Sequence, residues 1–113
     1  MNEYVPAEIA PRRLKEKLDG GEPVQLIDVR EPQEFAVCRL EGAELIPLRS
    51  LQQSLPALKE KAAAGPLVVY CHHGVRSLQA VSWLRRQGFP ECQSLEGGID
   101  RWSVLIDQTV PRY

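Results

Sequence analysis

The sequence has 113 residues, of which 43% are hydrophobic and 26% charged, the balance of one ordinary folded domain spanning residues 1–113. Its net charge of −1 argues against a nucleic-acid-binding surface, which needs a basic excess. There is no apolar run of about 18 residues, no signal-peptide pattern in residues 1–6 and no close cysteine spacing, so we expect a soluble cytoplasmic domain without a membrane span or disulfide framework.

The first half of the chain alternates short apolar runs with helical patterns. We predict, in order, an edge strand at 5–9, a helix opened by Pro11 and stopped by Gly20-Gly21, a buried strand at 24–29, a short helix opened by Pro32, a strand at 43–46, and two helical pieces divided near Ser54 by Pro56. Leucines at helical spacing in the last segment indicate packing rather than a binding groove.

The second half repeats the alternation. Leu67–Tyr70 is a continuous apolar run after Gly65-Pro66, typical of a central parallel strand. It is followed by a predicted helix at 77–87, a strand at 92–95, a Glu96-Gly97-Gly98 turn, a helix carrying Ile99 and Trp102, and a surface tail at 107–113. The pattern predicts an α/β fold, a mainly parallel five-stranded sheet with helices on both faces.

The loop between the central strand and its helix carries the chemistry. It begins with Cys71 and reaches Arg76 through His72, His73, Gly74 and Val75, which we predict to form the substrate-binding loop. Backbone N–H groups at a helix start lack helical partners and can converge on an anion. Together with the helix dipole and Arg76, they would favour the thiolate of Cys71 over the thiol, so we predict Cys71 to be a nucleophile rather than a core cysteine.

Two further markers follow buried strands. Asp28 ends one strand and Arg30 lies two residues on, and we favour an ion pair that fixes loop geometry over direct chemistry for both. Gly97-Gly98 follows another strand. Because parallel strands end at one edge of a sheet, Asp28, Cys71 and the glycine turn are expected to lie along the same rim.

Three ordered blocks of this sequence resemble a rhodanese domain across nearly the whole chain. The blocks are Leu26–Phe35 (LIDVREPQEF), Cys71–Ser77 (CHHGVRS) and Leu95–Trp102 (LEGGIDRW). The resemblance implies a thiosulfate- or persulfide-type sulfurtransferase in which Cys71 carries the sulfur and the loop cradles it or its oxyanion donor. It also implies a small-molecule or protein sulfur donor and acceptor, and no cofactor.

One segment departs from the family pattern. Many family members have Gly-His-Ile before the third strand, where this chain has Cys38-Arg39-Leu40. Residues 37–40 and the 107–113 ending are similar to rhodanese domains joined to adenylyltransferases that activate sulfur-carrier proteins. A sulfur-carrier protein or an adenylyltransferase is therefore a candidate partner.

Other roles for the same residues are less well supported. Cys71, His72, His73 and Cys92 are metal-ligand types, but adjacent histidines do not easily reach one ion and no C-x₂₋₄-C pair exists, so we predict no metal site. The role of His72 and His73 stays open between polarising the site or shaping access to it, on one side, and a solvated loop pair, on the other. Cys92 is expected to be buried and inert, and Cys38 to be exposed without an ionising neighbour except Arg39.

Two rival functions remain. Protein phosphatases and arsenate reductases also use a cysteine-to-arginine loop, but theirs has five intervening residues, whereas four separate Cys71 from Arg76 and Tyr70 stands where phosphatases usually place a histidine. A shorter ring of N–H groups favours sulfur over a tetrahedral phosphoryl group. The second rival, a catalytically silent binding or sulfur-relay module, would be marked by a lost nucleophile, and Cys71 is present.

Overall fold

The computed structural model describes residues 4–113; residues 1–3, part of the segment without a signal-peptide pattern, lie outside it. Five strands alternate with helices along the chain. The strands are β1 (Glu8–Ile9), β2 (Gln25–Asp28), β3 (Glu44–Leu45), β4 (Leu67–Tyr70) and β5 (Gln93–Leu95). The helices are α1 (Pro11–Asp19), α2 (Pro32–Val37), α3 (Leu55–Ala64), α4 (Val75–Arg86) and α5 (Gly98–Leu105), with a 3₁₀ turn at Leu48–Ser50.

The strands form one sheet in the order β1-β5-β4-β2-β3, and every neighbouring pair is parallel. β4 is central, with Tyr70 opposite Asp28 of β2 and Val69 opposite Ser94 of β5. The C-terminal ends of β2, β4 and β5 therefore lie side by side at one edge of the sheet, as the predicted α/β fold requires.

Two hydrophobic clusters cover the two faces of the sheet. Successive β4 residues alternate between them, because side chains along a strand point to opposite faces. Leu67 and Val69 pack with Leu58 of α3 and Leu84 of α4. On the other face, Val68 and Tyr70 pack with Leu14 of α1 and with Ile99 and Trp102 of α5. With all four of its side chains buried, β4 is a rigid support for the loop that follows it.

Helix α4 begins at Val75, two residues earlier than the predicted start at residue 77. Gly74 has φ 101°, in the left-handed region, and this residue turns the chain sharply enough for the helix to start at once. The 5–9 strand is also shorter than predicted and keeps only Glu8–Ile9.

The expectation that Cys38 is exposed is wrong, since its residue is 8% exposed. Its side chain belongs to the cluster that contains Leu40, Tyr70 and Trp102. Its neighbours Val37 and Arg39 are both exposed, so no local pattern shows that the side chain between them packs in one cluster with Trp102 of α5.

Helices long and apolar enough to cross a membrane are absent from residues 4–113.

Candidate active site

Cys71 follows the last residue of β4 and is 1% exposed. Two backbone N–H groups donate to its Sγ, that of Gly74 at 3.1 Å and that of Ser77 at 3.3 Å. The thiol itself donates to the Ser77 hydroxyl at 3.3 Å. Because both amides are fixed by the backbone at the start of α4, they face the sulfur without further rearrangement.

The Ser77 hydroxyl is itself held in place by buried neighbours. It contacts the Ser94 hydroxyl on β5 at 2.7 Å and donates to the Gly74 carbonyl at 3.3 Å. Ser77 and Ser94 are both fully buried, so this small polar network lies between β4, β5 and α4. Ser77 thereby holds the sulfur with a backbone and a side-chain group at once.

The glycine turn before α5 packs directly on the cysteine loop. The N–H groups of Ile99 and Asp100, in the first turn of α5, donate to the carbonyls of Cys71 at 2.9 Å and His72 at 3.1 Å. A Cβ on Gly98 would lie 2.4 Å from the His72 carbonyl oxygen and 2.5 Å from that of Cys71. Only glycine allows this approach, so the Gly97-Gly98 turn fixes the backbone of the loop.

Arg76 does not bond to Cys71 Sγ but to a residue on α2. Its guanidinium donates to both carboxylate oxygens of Glu34, at 2.7 and 3.0 Å. This pairing is the main reason why the pKa of Glu34 falls to about 2. The same carboxylate is the first cause of a raised pKa at Arg76, and the charge of Cys71 adds a smaller effect in the same direction. Glu34 therefore fixes the position of the Arg76 guanidinium beside the loop.

The two histidines differ in their surroundings. His72 stacks on Tyr113, with ring centroids 3.8 Å apart and planes 8° from parallel, and its Nε2 is buried without a hydrogen-bond partner among residues 4–113. Burial, followed by the neighbouring His73, lowers the pKa of His72. His73 is exposed, with Nδ1 3.9 Å from the Asp100 carboxylate.

Asp28 and Arg30 form the ion pair that the sequence predicted, and both are completely buried. Asp28 accepts hydrogen bonds from the Arg30 backbone N–H at 2.9 Å and from its Nε and Nη2 at 2.9 and 2.6 Å. Arg30 Nη2 also donates to the Cys38 carbonyl at 2.6 Å. These bonds fix the turn after β2, at the same rim as Cys71, without directing the carboxylate at the sulfur.

The family model described as a rhodanese-like domain matches residues 10–105. The chain belongs to the rhodanese-like family. A structure of a rhodanese-like domain protein from Staphylococcus aureus superposes with a TM-score of 0.79 at 29% identity, covering 96% of this chain and 99% of that one. The fold and the family that the three sequence blocks indicated are thus confirmed.

Two curated relatives of this chain have names that include sulfurtransferase. A protein named thiosulfate sulfurtransferase GlpE from Pseudomonas aeruginosa is 36% identical over 83% of this chain and 81% of its own length. A probable adenylyltransferase/sulfurtransferase, MoeZ of Mycobacterium tuberculosis, is 40% identical over 93% of this chain. The chain spans only about a quarter of MoeZ, at 26% of its length.

Four residues of this rhodanese-like site were missed by sequence reasoning: Glu34, Ser77, Ser94 and Tyr113. Ser77 could have been found, because it stands at the third position of the helix that begins at Val75. Glu34 and Tyr113 carry no local signal, since they lie 42 residues before Arg76 and 41 residues after His72, and they reach the loop only through the fold.

Cys92 lies in the core on the side of α4, away from this loop network. Its residue is 2% exposed, and burial raises the pKa of its thiol. Within the described part of the chain, residues 4–113, no group of three His, Cys, Asp or Glu side chains is placed to hold a metal ion.

Proposed function

We propose that the chain moves a sulfane sulfur from thiosulfate or a persulfide to a nucleophilic acceptor through a persulfide on Cys71. The observation that carries this proposal is the convergence of the Gly74 and Ser77 N–H groups on Cys71 Sγ. Preorganised donors of this kind stabilise negative charge on an attacking sulfur and on the outer sulfur of a persulfide. The two relatives whose names include sulfurtransferase support the same chemistry.

The first half-reaction loads Cys71. Its thiolate attacks the outer sulfur of thiosulfate, a new S–S bond forms, the S–S bond of the donor breaks, and sulfite leaves with the electron pair. With a persulfide as donor, a thiolate leaves in place of sulfite. No external oxidant, metal or cofactor is needed, because the sulfur arrives already at the oxidation level of the persulfide.

The second half-reaction unloads it. An acceptor such as cyanide or a thiolate attacks the outer sulfur of the persulfide, and Cys71 is released again as a thiolate. The negative charge returns to Sγ, where the two backbone donors already point. Arg76 supports both half-reactions, with its guanidinium held at the loop by Glu34.

Protein acceptors fit the surroundings of the loop as well as small ones. Val75 and Leu78 are 68% and 38% exposed and line a surface cleft of about 610 Å³ together with His73. Exposed apolar side chains beside a reactive group are typical of a contact surface for a macromolecule. The name adenylyltransferase and sulfurtransferase, carried by a 37% identical Zea mays protein, supports a sulfur-carrier protein or an adenylyltransferase as a partner.

Steady-state thiosulfate:cyanide transfer tests the proposal. We expect Cys71→Ser to lose more than about 10³-fold of the rate, since the covalent carrier is gone. Cys92→Ala, checked by circular dichroism, is the matched control and should stay within about twofold of the parent. Activity retained in a folded Cys71→Ser protein would overturn the proposed function.

The same preparations separate the rival functions. Hydrolysis of a small aryl phosphate that depended on Cys71 would favour a phosphatase and contradict the short-loop argument. A parent protein that folds but transfers no sulfur from thiosulfate or from a low-molecular-weight persulfide would instead indicate a binding module. We expect sulfur transfer and no phosphate release.

A further inference from the structure

The tail after α5 folds back along the molecule to the cysteine loop. The Ser103 hydroxyl of α5 donates to the Val110 carbonyl at 2.6 Å. Two residues on, Arg112 donates to both carboxylate oxygens of Asp100, at 2.9 and 3.2 Å. Asp100 lies in the first turn of α5, beside the loop that its own N–H group supports. The tail is therefore fixed step by step until Tyr113 reaches the rim.

Tyr113 makes three contacts at that rim. Its ring lies flat on His72, with 3.8 Å between centroids. Its hydroxyl donates to Glu34 Oε2 at 2.7 Å and accepts from Arg30 Nη1 at 2.8 Å. Hydrogen bonds to charged groups are the stronger class, so these two bonds hold the ring over the histidine.

The tyrosine is thereby connected to both ends of the loop, to one directly and to the other through Glu34. It contacts His72 directly, and it shares the Glu34 carboxylate with Arg76, six positions into the loop that starts at Cys71. Cys71 itself is almost completely covered. We propose that Tyr113 is a specificity-determining residue, which lies over the mouth of the loop and limits the size of the molecule that reaches Cys71.

This covering arrangement is built to open. Tyr113 remains 43% exposed, so few apolar contacts must be broken when its side chain swings away from His72, while the bonds of Val110 and Arg112 hold the rest of the tail in place. His72 Nε2, buried and unpartnered within residues 4–113, would gain water on opening. A buried polar atom without a partner costs free energy, and its hydration offsets part of what the two hydroxyl bonds contribute to the closed state.

Alkylation with two reagents of one chemistry and different size tests this inference. Iodoacetamide is the small probe and iodoacetamidofluorescein the large one, and digestion followed by mass spectrometry reports the modification of Cys71 alone. The variants are Tyr113→Ala, which removes the cover, and Tyr113→Phe, which keeps the stacked ring and loses both hydroxyl bonds. Tyr4→Ala is the matched control, since Tyr4 is 83% exposed at the other end of the chain.

For Tyr113→Ala we expect the rate ratio of the large to the small reagent to rise about tenfold, because the lost ring no longer excludes the large reagent from the loop. Tyr113→Phe should fall between that variant and the parent, and Tyr4→Ala should match the parent. A ratio within twofold of the parent in Tyr113→Ala, or an equal rise for both reagents, would overturn the size filter. If Tyr113→Ala does not fold, the ratio for Tyr113→Phe decides in the same way.

The inference rests on the proposed function in one respect, namely that the molecules filtered by size are sulfur donors and acceptors. Alkylation needs no sulfur transfer, so an altered ratio in a protein that transfers no sulfur would leave the filter standing and remove the proposed function. An unchanged ratio in a protein that does transfer sulfur would remove the filter and leave the proposed function standing. In an active protein, Tyr113→Ala should also raise kcat/KM for glutathione as acceptor relative to cyanide.

Discussion

Two neighbouring strand ends of this molecule each bring a cysteine and an arginine together, but different groups contact the sulfur at the two places. After β4, Cys71 receives the N–H groups of Gly74 and Ser77, while Arg76 stands back and pairs with Glu34. After β2, Arg30 Nη1 lies 3.9 Å from Cys38 Sγ. Yet the guanidinium of Arg30 is occupied by Asp28, by backbone carbonyls and by Tyr113.

The difference indicates what a nucleophilic cysteine needs from its surroundings. An arginine close to a thiol is not enough when its charge is neutralised by a fully buried carboxylate. Backbone amides at a helix start are free of other partners and cannot turn away from the sulfur. The end of β2 is therefore a structural joint held by an ion pair, and the end of β4 is where we propose that negative charge develops on Cys71.

The largest effect is expected when the ion pair of Asp28 and Arg30, which forms the joint, is broken. In Asp28→Asn the Arg30 charge stays buried without its partner, so we expect the free energy of unfolding to fall by about 3–5 kcal/mol. Denaturant unfolding at neutral pH measures it. The matched control is Asp19→Asn, whose exposed pair with Lys15 should contribute no more than about 1 kcal/mol. Similar losses in both variants would mean that the end of β2 is not a joint.

The next largest effect concerns the contribution of Arg76 to the rate of sulfur transfer. Arg76→Ala removes a positive charge from the loop that we propose to cradle the transferred sulfur, so we expect thiosulfate:cyanide transfer to fall by about 10²-fold. The variant also loses the bonds to Glu34, so the free energy of unfolding should fall by about 1–3 kcal/mol in a protein that still folds. Arg86→Ala is the control on the same helix, because Arg86 is exposed and bonds to the Ser82 hydroxyl. A rate within threefold of the parent for a folded Arg76→Ala protein would limit catalysis to the backbone donors.

A smaller effect is expected on acidification. The pKa of Glu34 is about 2 in the folded protein and ordinarily 4.5, chiefly because Arg76 donates to its carboxylate. The stabilisation is therefore complete above about pH 4.5 and is lost as the pH falls towards 2, and partial solvent screening at Arg76 limits it to about 1–3 kcal/mol. Denaturant unfolding of the parent between about pH 6 and about pH 2.5 should show this loss, because the range covers most of the interval between the two pKa values.

The acid loss should be reduced in Glu34→Gln and unchanged in Glu41→Gln, which alters an exposed carboxylate on the connection after α2. An equally steep loss in Glu34→Gln would assign the acid sensitivity to other carboxylates.

The smallest effect concerns the second cysteine. Within residues 4–113 no backbone N–H group donates to Cys38 Sγ, and the neighbouring Arg30 is paired with Asp28. Cys38→Ser should therefore keep kcat/KM for thiosulfate within about twofold of the parent. Loss of activity as complete as in Cys71→Ser, in a folded protein, would replace the single carrier by a relay of two cysteines.

Much of this arrangement could be predicted because its signals are local. The apolar run Leu67–Tyr70 and the glycine at position 74 placed Cys71 between a buried strand and a helix start. The two buried charges after β2 required each other, and the sequence puts them two residues apart. The rule that parallel strands end at one edge then brought the Gly97-Gly98 turn to the loop, where the structure has it.

The rest depends on contacts that no local pattern records. Glu34 lies on a short helix with an ordinary acidic first turn, and only the packing of α2 beside the loop gives it Arg76 as a partner. Tyr113 ends a polar tail whose composition indicates solvent exposure rather than a return to the site. Cys38 was misjudged for the same reason, since Val37 and Arg39 on either side of it are exposed and no local pattern shows that Cys38 packs in the core.

The most direct test of the central claim is the intact mass of the protein after treatment with thiosulfate. We expect a gain of one sulfur atom, removed by a thiol reductant and located on Cys71 by fragmentation. The gain should be absent in Cys71→Ser and present in Cys38→Ser. A folded Cys71→Ser protein that still gains one reducible sulfur would contradict the assignment of Cys71 as the sulfur carrier.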